Sequence, residues 1–127
     1  MFKRVNCSEK LDYPEHDIHV YTDGSKTSTG VGAGALIMGQ NCKEVCLSER
    51  LSGDSTVFEA ELSAINMAAE HLTRSRVKRM KVVIFSDSMS ALMALGQNKI
   101  RSALVANTIF KVNNLPKNNS VVLQWVK

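Results

Sequence analysis

Four consecutive apolar residues, Val82-Val83-Ile84-Phe85, constrain this chain more than any other short stretch. A strand with one wet face alternates apolar and polar side chains. A strand without alternation is covered on both faces, as in a parallel sheet with helices packed against it. The flanks agree with that reading. Residues 55–72 carry a helical period: at about 100° per residue, Phe58, Leu62, Ile65, Ala69 and Leu72 share one face, and Glu59, Ser63, Asn66 and Glu70 lie opposite. Ser55 or Thr56 is available as the N-cap. After the apolar run, Ser86-Asp87-Ser88 is placed to cap a helix through Leu95, and a further helix is expected from about Ile100 to Val112. Residues 113–119, with one Pro and four Asn, break the pattern, and residues 121–126 read as a last strand.

Upstream, the period is 2. Ile18, Val20 and Thr22 alternate with His19, Tyr21 and Asp23, a strand expected to end in the turn Asp23-Gly24-Ser25. Residues 30–38, GVGAGALIM, form a second strand whose glycines at 30, 32 and 34 leave one face without side chains, so something can approach it closely. Residues 45–51 form a third, after the hairpin turn Gly39-Gln40-Asn41. Residues 1–16 have no clean period and read as a leader or linker, which leaves residues 17–127 as the domain. The order is three strands, helix, strand, two helices, strand. That order predicts an α/β fold: a mixed five-stranded sheet, an antiparallel meander continued by parallel strands, with helices on its faces.

With 127 residues, 44% hydrophobic and 22% charged, the chain suits one globular domain. No apolar run approaches the roughly 18 residues of a membrane span, and the N-terminus has no apolar stretch of a secretory signal. Cys7, Cys42 and Cys46 form an odd set with no second Cys/His pair at zinc spacing, so reduced cysteines in an intracellular protein of the cytoplasm or nucleus are expected. A net charge of +4 and a pI of about 9.1 lean toward a polyanionic partner. Gly30-x-Gly32 is followed by strand instead of helix and is no dinucleotide fingerprint. His16, His19 and His71 are scattered and carry no assignment.

Three carboxylates stand out by position. Asp23 closes the first strand, Asp87 closes the apolar strand, and Glu61 falls inside the apolar sector of the helix while Glu59 points to solvent. A buried carboxylate is costly without a partner. A helix antiparallel to the strand after it brings its start to that strand's end, and Asp23 joins them if the first and fourth strands are parallel neighbours. Such a convergence makes a hard-oxygen site suited to Mg²⁺. Taken singly, Asp23 is an Asp-Gly turn residue, Asp87 a helix N-cap and Glu61 an ion-pair partner.

TDGS at residues 22–25, VFEAELSAI at 57–65 and IFSDSMSAL at 84–92, in this order and spacing, resemble the ribonuclease H family. The pattern is most similar to the ribonuclease H domains of non-LTR retrotransposons. It spans residues 18–127 and includes Leu123-Gln124-Trp125-Val126 as the family's last strand. The resemblance implies an Mg²⁺-dependent (or Mn²⁺-dependent) endonuclease that cuts the RNA strand of an RNA/DNA hybrid. Asp23, Glu61 and Asp87 carry over as metal-binding catalytic residues, Asp23 bridging two ions and the others each completing one side. Gly24 and Ser25 would let the backbone approach the minor groove, where 2′-hydroxyls identify RNA, and Ser88 would touch the hybrid. A reverse transcriptase domain is the natural companion that the resemblance suggests.

The family continues with a Gly-His loop and a final helix bearing a fourth carboxylate, whereas this sequence stops at Lys127 with nothing acidic after Asp87. One metal site is then expected to be incomplete, and an apolar sheet face to be exposed unless a partner or neighbouring segment covers it. A catalytically impaired relic, or a hybrid-binding or interaction module, is therefore the alternative reading. An integrase-like enzyme fits less well, because Glu61 lies between the two aspartates. Some family members carry Asn where Val57 and Phe58 stand here. The basic stretch 74–81 reads as a solvated turn at the edge away from the carboxylates, and Lys99, Arg101 and Lys117 are better placed for a phosphate backbone.

Overall fold

A computed structural model describes residues 17–39, 44–75, 80–96, 103–115 and 119–126. The elements are β1 (Asp17–Thr27), β2 (Gly30–Met38), β3 (Glu44–Leu51), α1 (Val57–Arg74), β4 (Lys81–Ser86), α2 (Met89–Gly96), α3 (Ala103–Asn114) and β5 (Ser120–Trp125). One sheet runs β3-β2-β1-β4-β5. The first three strands pair antiparallel, and β1–β4 and β4–β5 pair parallel. This is the mixed five-stranded α/β sheet that the pattern predicts. The expected leader 1–16, Gln40 and Asn41 of the expected hairpin, Lys99, Arg101 and Lys117 lie outside the described residues.

The first strand does not stop at Asp23. It continues in the ladder with β2, Asp23 opposite Gly34, Ser25 opposite Gly32 and Thr27 opposite Gly30, and the chain turns at Ser28-Thr29. Asp-Gly is therefore strand here. The reason lies on either side of Gly24. Across the ladder β2 supplies a full set of backbone partners, and behind it α1 leaves no room for a side chain.

α1 begins with a capping box. The Thr56 hydroxyl accepts from the Glu59 N–H at 3.0 Å, and the Glu59 carboxylate accepts from the Thr56 N–H at 2.9 Å. Each satisfies a donor that the helix itself leaves open, together stabilising by about 1 kcal/mol. Leu62, Ile65, Ala68, Ala69 and Leu72 are buried against Ile18, Val20, Ala35, Ile37, Val82 and Ile84 of the sheet. Each large side chain buried there contributes roughly 1.5–3 kcal/mol. Phe58 packs against this core, whereas Val57 is exposed.

The opposite face of α1 is less polar in its surroundings than expected. Asn66 is buried because α3 covers it. Its amide donates to Thr108 Oγ1 at 3.1 Å, its oxygen accepts from Lys111 Nζ at 2.8 Å, and Thr108 donates on to the Leu104 carbonyl. Asn66 thus pairs with a second helix instead of water.

On the second sheet face, Leu36, Met38 and Val83 are buried, and Phe85 stacks on Tyr21 with ring centroids 4.9 Å apart. Among the described residues, the large exposed apolar side chains of the sheet are Val122 and Trp125 of β5, with Val126 just beyond the strand.

Candidate metal centre

β1 and β4 run side by side only as far as Tyr21 and Phe85. Thr22 Oγ1 donates to the Phe85 carbonyl at 3.0 Å, holding the strands together at the point where they part. Beyond it β1 stays with β2, and the separation opens a crevice at the carboxyl ends of the parallel strands, where open α/β sheets bind ligands. All three acids predicted from the sequence meet there. One oxygen each from Asp23, Glu61 and Asp87 lies within 4.8 Å of the others.

A different element holds each of them. Asp23 sits in the β1–β2 ladder. Glu61 is the fifth residue of α1 and only 5% exposed. Its depth follows from Gly24: a Cβ there would stand 2.5 Å from the Glu61 backbone nitrogen and 2.7 Å from the Ala60 carbonyl carbon. Only glycine lets the helix approach β1 so closely, so Gly24 has a packing role in addition to the substrate approach expected of it.

Asp87 follows β4 directly and is exposed. Its backbone is braced from both sides. Val126 N–H donates to the Ser86 carbonyl at 2.9 Å and the Trp125 indole N–H to the Asp87 carbonyl at 3.2 Å. Ser88 accepts from the Ala91 N–H at 3.2 Å and takes the cap position of α2. Asp87 is thus relieved of capping, and its side chain remains available to the cluster. The bracing role of Trp125 is not legible in sequence, since it depends on β5 pairing beside β4.

Burial, then the negative charge of Asp87 and that of Asp23, push the Glu61 carboxyl up from 4.5 to about 7, against a backbone hydrogen bond from Gly24. Glu61 Oε2 is buried and has no hydrogen-bond partner. A buried oxygen without a donor, facing two more carboxylates, is unfavourable for the protein alone. It fits a hard divalent cation, which would neutralise the charge and fill the missing coordination.

The family pattern described as RNase H matches residues 15–127. The chain belongs to the RNase H family. Divalent metal ions are the usual cofactors of ribonuclease H enzymes, in keeping with the acidic cluster here. No curated protein matches the chain at a significant level. Among solved structures, RNase H1 from the halophilic archaeon Halobacterium salinarum is similar in fold, with a TM-score of 0.67 at 16% identity, covering 87% of this chain and 85% of that one. No helix among the described residues of this ribonuclease H chain is long and apolar enough to cross a membrane.

Proposed function

We propose that this chain is a ribonuclease H domain hydrolysing the RNA strand of RNA/DNA hybrids, with Asp23, Glu61 and Asp87 as its catalytic, metal-binding residues. One observation carries the reading: three acids from three separate elements bring oxygens within 4.8 Å of one another. Oxygen-only donors favour Mg²⁺, or Mn²⁺ in its place, over softer metals. When bound, a pair of such ions supplies a water activated for in-line attack on the phosphate and charge stabilisation for the leaving 3′ oxygen. The protein's own residues set the place. Asp23 supplies its carboxylate from β1, Glu61 holds charge in a low-dielectric pocket, and Asp87 presents its carboxylate at the open rim. Ser25, exposed two residues after Asp23, and Ser88, next to Asp87, offer hydroxyls to the hybrid's sugar and phosphate oxygens. Gly24 lets the β1 backbone serve the same purpose.

The TDGS, AEL and SDS segments support a retrotransposon lineage, with a reverse transcriptase as companion domain. Residues 1–16 are proposed as a leader and 17–127 as the domain. A second reading, a hybrid-binding or interaction module without turnover, is favoured by one observation: residues 88–127 contain no Asp or Glu. A fourth ligand, where one is needed, has to come from outside that stretch.

The test is cleavage of a labelled RNA/DNA hybrid with Mg²⁺ or Mn²⁺. The proposal expects metal-dependent cutting of the RNA strand alone, lowered by at least about 100-fold in Asp87→Asn. A folded protein that binds hybrid and leaves it intact favours the second reading.

A further inference from the structure

A groove leads away from the carboxylates over the β2 strand, lined by Asp23, Ser25, Gly32, Gly34, Ser48 and Arg50 among others. Its shape follows from register. Asp23 lies opposite Gly34 and Gly34 opposite Ser48; Ser25 lies opposite Gly32 and Gly32 opposite Arg50. Directly opposed residues share a face of the sheet. The floor, β2, therefore has no side chains, and the walls are β1 and β3. Glycine weakens a strand interior and marks places where another molecule approaches the backbone.

Arg50 is the cation of this groove. Its Nη2 donates to the Thr29 carbonyl at 3.4 Å, and a Cβ on Gly30 would lie 3.5 Å from that nitrogen. The guanidinium thus lies across the bare edge of β2, with one contact to a neutral carbonyl and further N–H donors left over. No carboxylate pairs with it among the described residues. Alternation places the Glu49 side chain on the helix-covered face, and it is the Glu49 carbonyl that borders Gly32.

We infer that Arg50, with the Ser25 and Ser48 hydroxyls, forms a phosphate subsite for the RNA strand, holding a phosphate further along the strand from the one at the carboxylates. The inference rests on the hybrid-cleavage reading above. The strand to be cut passes Asp23, and Arg50 stands two strand spacings across, roughly 10 Å, and two residues along, roughly 7 Å, about 12 Å away in all. That distance excludes the scissile phosphate and reaches one further along the same strand. A guanidinium fork matches phosphate oxygens, and hydroxyls flanking it donate to the same oxygens. A cation there also offsets the repulsion between a phosphate backbone and the acidic cluster.

The experiment compares the full chain with Arg50→Gln, Arg50→Lys and, as a distant control, Arg74→Gln, cleaving a labelled RNA/DNA hybrid in Mg²⁺ across a KCl series. Arg50→Gln is expected to raise KM about 5-fold at low salt with kcat nearly unchanged, and to reduce the slope of log KM against log salt by about 0.9, one phosphate contact. Arg50→Lys keeps the slope and recovers part of the KM, and Arg74→Gln matches wild type. If the wild type binds without cutting, the same slopes are read from Kd by fluorescence anisotropy. A wild type that cuts or binds hybrid while Arg50→Gln shows the same slope and the same KM or Kd overturns the subsite alone. A wild type that neither cuts nor binds hybrid overturns the hybrid reading and the subsite with it.

Discussion

Glu61 and Ile65 lie one turn apart on α1, and both are buried, at 5% and 0% exposure. Ile65 faces β-strand side chains that are all apolar, and its burial is favourable without condition. Glu61 faces two other carboxylates and keeps an oxygen with no donor. The same helix, at nearly the same depth, therefore has a stabilising half and a half held in place against its own electrostatics. The apolar half anchors the helix, so that the first turn can be carried into an unfavourable position.

Removing the anchor gives the largest expected effect. Leu62→Ala leaves a cavity in the fully buried core and is expected to cost about 3–4 kcal/mol, measured by urea unfolding. The surviving folded fraction is expected to keep its divalent-ion affinity. Gly24→Ala strikes the junction of the two halves, because its methyl group meets α1 backbone at 2.5 Å. It is expected to cost about 2–3 kcal/mol and, unlike Leu62→Ala, to weaken metal binding as α1 shifts from β1. Equal metal affinity in the two variants would separate Gly24 from the site.

The smallest effect has the opposite sign. The Glu61 carboxyl is raised from 4.5 to about 7 in the fold. Below pH 4.5 it is protonated in both folded and unfolded chains and stability is at its fullest. Between those values the unfolded chain releases the proton first, so stability falls as pH rises, by about 3 kcal/mol in total above pH 7. Glu61→Gln removes the charge, and metal-free protein carrying it is expected to gain about 2 kcal/mol at pH 8 and nothing at pH 4. A variant less stable than wild type at pH 8 would show that the ionised carboxylate is well partnered.

Local patterns made most of the fold legible. The unalternated Val82–Phe85 run becomes the central parallel strand, and the helical sector that contained Glu61 is the buried one. Non-local partners account for what was not. Asp23-Gly24-Ser25 reads as a turn until β2 pairs with it, and Asn66 reads as solvated until α3 brings Thr108 and Lys111 to it. Arg50 carries no mark in the sequence, since its groove exists only through the register of three strands. The three acids were legible because the argument about them needed only strand ends and a helix face.

Thermal unfolding at pH 7.5 with increasing Mn²⁺, wild type beside Glu61→Gln, tests whether the three carboxylates hold a metal ion. A site that retains buried charge for a cation predicts that Mn²⁺ raises the wild-type midpoint progressively, by mass action, and leaves Glu61→Gln nearly unmoved, so that the variant's metal-free advantage shrinks or reverses. Equal Mn²⁺ shifts in the two proteins, or none in either, would contradict the assignment of Asp23, Glu61 and Asp87 as a metal site.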